Sequence, residues 1–323
     1  STQIFTTFSS LPDISGLASQ DSIPSSALPG HNSLVLNMDT GQILEHWVEI
    51  SSRTQEDEAT LVHVRTLRGL DHNAQYAVAF RNLIDGDGEQ VEPFPGFKAL
   101  RDGSVTDNQQ IESLRSSYED MFSSLSEIGY ERQDLTSAWW FHTASSQSIM
   151  GDIISMRNNA TQLLGENGIG CNVTSVTENY AEDNTTLRRI SGTITTPHYL
   201  QSTYPPTPMT RYEDGTPRFN FMTEVVFTVT IPQSAADSSQ PAPLVALGHG
   251  FLGDGEGMVS GFRGWANDSG VATIGTDFKG WSSDGDFGAV TFGLMNVNYL
   301  QHQSERLQQS VINHLAMITT IKG

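Results

Sequence analysis

Cysteine is almost absent: Cys171 stands alone among 323 residues. No disulfide can close within the chain, and no cysteine cluster can hold zinc or an iron–sulfur centre. Cations are short as well, 17 Lys and Arg against 37 Asp and Glu, which leaves a formal net charge of −20 and a pI near 4.6. Nucleic acid and anionic membrane are thereby excluded as expected partners, because the surface repels both. No apolar run of about 18 residues occurs, so no transmembrane segment is expected. An initiating Met and a signal peptide are missing too; the chain opens at Ser1, which fits a processed or trimmed mature start. His-Glu-x-x-His and other zinc spacings do not occur, and neither do the Walker and dinucleotide glycine patterns. Residues Gly253-Asp254-Gly255-Glu256-Gly257 lack both the Lys-Ser/Thr and the spacing. No metal and no cofactor are expected. A Gly-x-Ser-x-Gly nucleophile elbow is also lacking, since Ser260 stands one place too late after Gly257.

What is present is polar. Ser, Thr, Asn and Gln are abundant and Lys is scarce, a composition that points to an extracellular, periplasmic or cell-surface setting. Residues 1–30, rich in Ser with scattered Pro, read as an extended, poorly structured lead-in. From 33 onward the pattern has a period of two: runs at 33–37, 43–50, 60–66 and 75–83 predict strands, and Asp85-Gly86-Asp87-Gly88 predicts a hairpin tip. The Asp85/Asp87/Glu89 spacing also resembles a calcium loop, but the distal Glu is absent. An antiparallel sandwich over 31–103 is the result.

Helical period then takes over. Ile111, Leu114, Tyr118, Met121, Phe122, Leu125 and Ile128 make one apolar face over 106–129, with Thr106-Asp107-Asn108-Gln109 as the start signal and Gly129 as the stop. Residues 135–144, with Trp139-Trp140-Phe141, read as a buried strand, and 146–164 as a helix ended by Gly165. Strand patterns at 187–196 and 220–231 are separated by Tyr204-Pro205-Pro206-Thr207-Pro208. Short apolar strands at 244–247 and 271–276, with a helical segment between, signal a parallel sheet. Residues 278–292 read as a Gly/Asp-rich loop. Residues 299–318 read as a helix presenting Leu300, Leu307, Val311, Leu315 and Ile318 on one side.

The most telling stretch is Gly248-His249-Gly250-Phe251-Leu252-Gly253, at the exit of the strand over 244–247. Glycines there let backbone N–H groups approach an anionic group; a tight turn that binds nothing has the same composition. His249 and Gly250 are read as setting the loop's geometry, His249 through hydrogen bonds rather than as a base. Asp277 and Asp284 follow the strand over 271–276, where α/β folds place ligands; a solvated loop is the competing reading.

Taken together, Leu34-Val35-Leu36-Asn37-Met38-Asp39-Thr40-Gly41, Tyr76-Ala77-Val78-Ala79-Phe80-Arg81-Asn82-Leu83, Phe97-Lys98-Ala99-Leu100-Arg101-Asp102-Gly103, residues 134–145 and the Gly248–Gly253 run resemble secreted bacterial lipase/esterase-like proteins. In that family an N-terminal Ig-like domain precedes an α/β-hydrolase domain, and the likeness covers most of 30–320. It implies an all-β Ig-like sandwich over 31–103 followed by the N-terminal half of an α/β-hydrolase domain over 104–323, a partial hydrolase-type sheet with helical additions. It implies hydrolysis of a carboxylic ester, lipid or small molecule, through an acyl-serine. The backbone N–H of Phe251, with that of Leu252, would form the oxyanion hole, and Asp277 and Asp284 would border the substrate. The nucleophile elbow lies outside the matching region. The expected partner is therefore the C-terminal half of the same precursor, docked as a second polypeptide after proteolytic processing near Gly323 and bringing serine, acid and histidine. Truncation or disorder would give the same chain end. The competing function is a non-catalytic secreted surface or assembly protein that keeps the fold for packing.

Overall fold

The chain is described here by a computed structural model over residues 3–52, 61–180, 184–236, 238–283 and 286–322. It forms two compact units, Ser1–Ile149 and Met150–Gly323. Thr60 and Asp284 lie outside the described residues.

The first unit contains strands β1 (Ile4–Thr6), β2 (Ser33–Asn37), β3 (Gln42–Ile43), β4 (His46–Ile50), β5 (Val62–Thr66) and β6 (Gln75–Arg81), helices α1 (Pro95–Asp102) and α2 (Gln109–Ser126), and strand β7 (Leu135–His142). These make an antiparallel three-stranded sheet, β1-β5-β4, and an antiparallel four-stranded sheet, β3-β2-β6-β7. The period-two pattern of β6 explains the layering. Tyr76, Val78 and Phe80 join a core with Val48, Val62 and Val64 of the smaller sheet. Ala77 and Ala79 join the opposite core with Met121, Phe122 and Leu125 of α2. Large side chains thus face the sheet, and alanines let the helix approach. The predicted lead-in is part of this unit: β1 pairs with β5, and Phe8, Leu17 and Ala18 are buried. At 85–89, Asp85 Oδ1 accepts from the Asp87 and Glu89 N–H groups, a hairpin turn. No group of His, Cys, Asp and Glu among the described residues is arranged to hold a metal.

The second unit comprises α3 (Ser146–Leu164, beginning at the boundary), β8 (Cys171–Glu178), β9 (Thr186–His198), β10 (Phe221–Pro232), β11 (Leu244–Leu247), α4 (Gly255–Gly261), α5 (Arg263–Ser269), β12 (Ala272–Thr276), α6 (Phe287–Met295) and α7 (Leu300–Lys322). One sheet runs β11-β12-β10-β9-β8. Only β11–β12 is parallel; β12–β10, β10–β9 and β9–β8 are antiparallel. Leu164 of α3 and Ala316 and Met317 of α7 close a core with Ile194, Val225, Phe227 and Ile274.

The expected fold class is corrected by this topology. The second unit is a mixed, mainly antiparallel sheet rather than a hydrolase-type parallel one, because strand–helix–strand alternation occurs only in β11–α4–α5–β12. The first unit is not an all-β Ig-like sandwich either: β7 extends its larger sheet beyond Gly103, and α1 and α2 add a helical layer. The compact units accordingly divide at Ile149/Met150 rather than at 103/104. The predicted loop at 278–292 contains the start of α6, and β8 had no signal. The apolar stripe predicted on α7 is only partly buried: Leu315 packs against the core and Leu307 is half-buried, but Leu300, Val311 and Ile318 are exposed, whereas Glu305, Arg306, Gln309, Ser310 and Asn313 are buried.

Candidate functional site

The site is built at the C-terminal ends of β11 and β12. Leu244–Leu247 pairs along Ala272–Gly275 in parallel register, so the turn after β11 and the loop after β12 leave the sheet side by side. Gly248 is required where it stands: a Cβ there would meet Phe278 Cε2 at 2.6 Å. Gly255 and Gly275 do the same for α4, since a Cβ on Gly255 would lie 2.7 Å from the Thr276 backbone.

His249 is buried and spans the two segments. Its Nε2 accepts the Phe278 N–H at 2.7 Å, and its Nδ1 lies 2.7 Å from the Gly250 carbonyl. A carbonyl only accepts, which places the proton on Nδ1 and leaves neither ring nitrogen free for proton transfer. Leu252 sits at φ +57°, and its N–H donates to the Trp281 carbonyl at 2.7 Å. The Gly253 N–H donates to the Gly250 carbonyl at 3.1 Å, and the Ser283 N–H to the Gly253 carbonyl at 2.8 Å. Phe251 is exposed and stands edge-on to Trp281, ring centroids 5.9 Å apart. Its N–H has no hydrogen-bond partner among the described residues. Of the two N–H groups singled out in the sequence, one is engaged and one is free.

Asp277 is buried, and its Oδ1 accepts the Gly255 N–H at 2.9 Å at the start of α4. It lines an open cleft of about 460 Å³ with Asp254, Glu256, Thr276 and Ser283; Phe251 and Leu252 are not among the cleft's lining residues. Asp284 is outside the described residues, so its place beside this cleft is not on view.

Sequence reading missed the residues that hold the loop after β12. Buried Asp286 accepts from the Gly280 N–H at 2.6 Å, the Ser282 N–H at 3.2 Å and the Ser282 hydroxyl at 2.6 Å, and it pairs with buried Arg306. The Ser310 hydroxyl donates to the Lys279 carbonyl at 3.0 Å. His314 stacks on Phe278 at 4.3 Å, with Nδ1 2.8 Å from the Ser310 carbonyl and Nε2 buried without a partner. Burial holds its pKa below the ordinary histidine value. Spacing on α7 was the available signal, since Glu305, Arg306, Gln309, Ser310 and Asn313 recur every three or four residues.

Three Ser–His contacts occur among the described residues, all within Ser1–Ile149: Ser33 Oγ lies 3.2 Å from His31 Nδ1, whose Nε2 accepts the Ala18 N–H. Ser33 Oγ lies 2.9 Å from His46 Nε2, but the other ring nitrogen meets the Leu44 carbonyl. Ser146 Oγ lies 2.5 Å from His72 Nδ1, and no carboxylate bonds that ring. None of the three has the acid that a catalytic triad needs.

No protein-family model matches the chain, and no curated protein matches it. Among solved structures it is similar to the N-terminal part of the bacterial S-layer protein SbsC, at 12% sequence identity and a TM-score of 0.23. That similarity covers 72% of this chain and 38% of that one, so the chain spans well under half of it. A score at this level assigns neither a fold nor a function. No helix among the described residues is long and apolar enough to cross a membrane.

Proposed function

We propose that the turn over 248–252 is the oxyanion-stabilising loop of a carboxylic-ester hydrolase, with the Phe251 N–H as donor. One observation carries this reading: the Phe251 N–H is unpartnered, while His249, Leu252 and Gly253 on either side are each tied down by backbone hydrogen bonds. A donor held in place before the reaction costs nothing to reorganise when charge develops on the substrate oxygen. Asp277 borders the substrate from the neighbouring cleft. The acyl-accepting serine, the acid and the catalytic histidine come from a further polypeptide, the C-terminal half of a common precursor, seated along β11. That strand pairs on one side only, and the apolar side chains of Phe287, Phe292, Leu294 and Met295 on α6 stand exposed. An extracellular, periplasmic or cell-surface setting accords with the Lys-poor, Ser/Thr-rich composition.

A second reading is a non-catalytic surface or assembly protein. It is favoured by the three Ser–His contacts that lack an acid. Turnover of short-chain p-nitrophenyl esters by the natively isolated material, with and without a serine-directed phosphonate, separates the two. Phosphonate-sensitive turnover is expected from the complete assembly and none from residues 1–323 alone. In that assembly Phe251→Pro, which removes the N–H, lowers kcat by about 10²- to 10³-fold, while Phe251→Ala, which keeps it, retains turnover. Native material without phosphonate-sensitive turnover sinks the hydrolase reading in favour of the second.

A further inference from the structure

Behind the loop after β12, a cavity of about 80 Å³ lies between β9, β10 and α7. Its lining includes His198, Lys279, Arg306, Gln309, Asn313 and Glu224. The polar groups here satisfy one another only in part. His198 is 95% buried by its 5% exposure, and its Nε2 is 3.2 Å from the Ser202 carbonyl while its Nδ1 has no partner. Arg306 is 3% exposed; its Nη1 and Nη2 are used by the Thr203 carbonyl and Asp286, and its Nε is unpartnered. Asn313 is 1% exposed, and its Oδ1 accepts from Gln309 Nε2 at 2.9 Å and the Thr196 hydroxyl at 3.3 Å. Its Nδ2 donates to nothing among the described residues. Lys279, one of three lysines in a chain of net charge −20, makes no ion pair among the described residues, although exposed Glu224 lines the same cavity.

A buried donor without a partner, here Arg306 Nε, is costly unless something occupies the space beside it. Asp286 cannot do so, being already saturated by four donors. The volume leaves room for two or three waters at about 30 Å³ each, or for one small oxyanion. Two cationic residues and a carboxamide line this one small space, a donor set that suits an oxyanion, which only accepts.

We infer that this cavity binds a small oxyanion, a free phosphate or a carboxylate, held by Lys279, Arg306 Nε and Asn313 Nδ2 with His198 beside it. The site is separate from the turn at 248–252 and does not rest on the hydrolase reading. A bound anion adds a link between Lys279 and α7, beside the Ser310 bond to the Lys279 carbonyl.

The test is calorimetric titration of the isolated chain with inorganic phosphate and with acetate at pH 7, ionic strength matched with NaCl. Saturable binding of one or both is expected, phosphate alone marking a tetrahedral site and acetate a carboxylate site. Lys279→Gln is expected to weaken binding by about 10- to 100-fold, the loss of one charge-assisted hydrogen bond, while Lys279→Arg retains it. Should Lys279→Gln fail to fold, the wild-type chain still decides: the ring resonances of His198 must shift on adding the anion. Absence of saturable binding, unchanged affinity in folded Lys279→Gln, or an anion that leaves the His198 ring unperturbed overturns the inference.

Discussion

His46, the first residue of β4, has no exposed surface; its Nε2 lies against the Ser33 hydroxyl of β2 and its Nδ1 against the Leu44 carbonyl, both at 2.9 Å. Burial lowers its pKa to about 4, outweighing the Leu44 hydrogen bond that raises it, and nearby His31 lowers it further. The unfolded chain, with a histidine pKa of about 6.5, takes up the proton first. Stability is therefore complete above about pH 6.5 and is lost as pH falls toward 4. Linkage puts the loss at about 2 kcal/mol between pH 7 and pH 5. Urea denaturation across that interval is expected to show this slope, and His46→Gln to flatten it. A slope unchanged in the variant would mean that other groups carry the acid sensitivity. At the same scale the candidate site was partly legible. His249 was readable as a loop-orienting residue because a histidine between glycines has few other partners than backbone. The engagement of the Leu252 N–H by Trp281 was not, since it depends on a contact 29 residues away in sequence.

Elements whose signals are local were legible, and those that depend on distant partners were not. The predicted helix at 106–129 forms as Gln109–Ser126, with Asn108 Oδ1 accepting the Gln110 N–H at 2.9 Å and Gly129 at φ +78°. The helix at 146–164 ends, as read, before Gly165 at φ +63°. By contrast, alternation in β9 and β10 states which face is apolar and nothing about the neighbour or its direction, which is why a parallel sheet was expected. Helix α6 is apolar all round and β8 is exposed along its whole length, so neither carries a period. On α7 the periodic apolar stripe was legible, but Leu300, Val311 and Ile318 face outward, because the buried polar residues of the helix bind distant segments instead: Arg306 pairs with Asp286, and Glu305 and Gln309 accept the Met209 and Tyr199 N–H groups. The approach of α2 to β6 gives a test at this scale. Ala79 is fully buried in the core it shares with Met121, Phe122 and Leu125. Ala79→Leu is expected to destabilise the first unit by about 1–3 kcal/mol through overpacking, read as a lower urea midpoint with unchanged slope. A variant as stable as the parent would mean that the helix layer is loosely packed.

At the scale of the whole molecule, charge sets the dominant long-range term. If each of the 17 cations paired with one carboxylate, 20 of the 37 carboxylates would remain without a cation. Several pairs that do form, such as Lys98–Glu92 and Arg188–Glu178, are about half-exposed at both ends. Such pairs are worth about 0–1 kcal/mol apiece, and salt weakens them. Repulsion among the excess carboxylates is spread over the whole surface, and it weakens in salt too. The two effects oppose each other, and number decides. At about 10 mM salt the screening length is about 30 Å, so carboxylates far apart on the surface still repel; at about 0.15 M it is about 8 Å. Repulsion spans many pairs of charges, whereas the ion pairs are few and short. Stability near pH 7 is therefore expected to rise with NaCl from 10 mM to 0.15 M, seen as a higher urea midpoint. The same addition at pH 4.6, near the isoelectric point, is expected to change it little, because the excess charge is then gone. A midpoint that falls with salt at pH 7 would show that the ion pairs outweigh the repulsion.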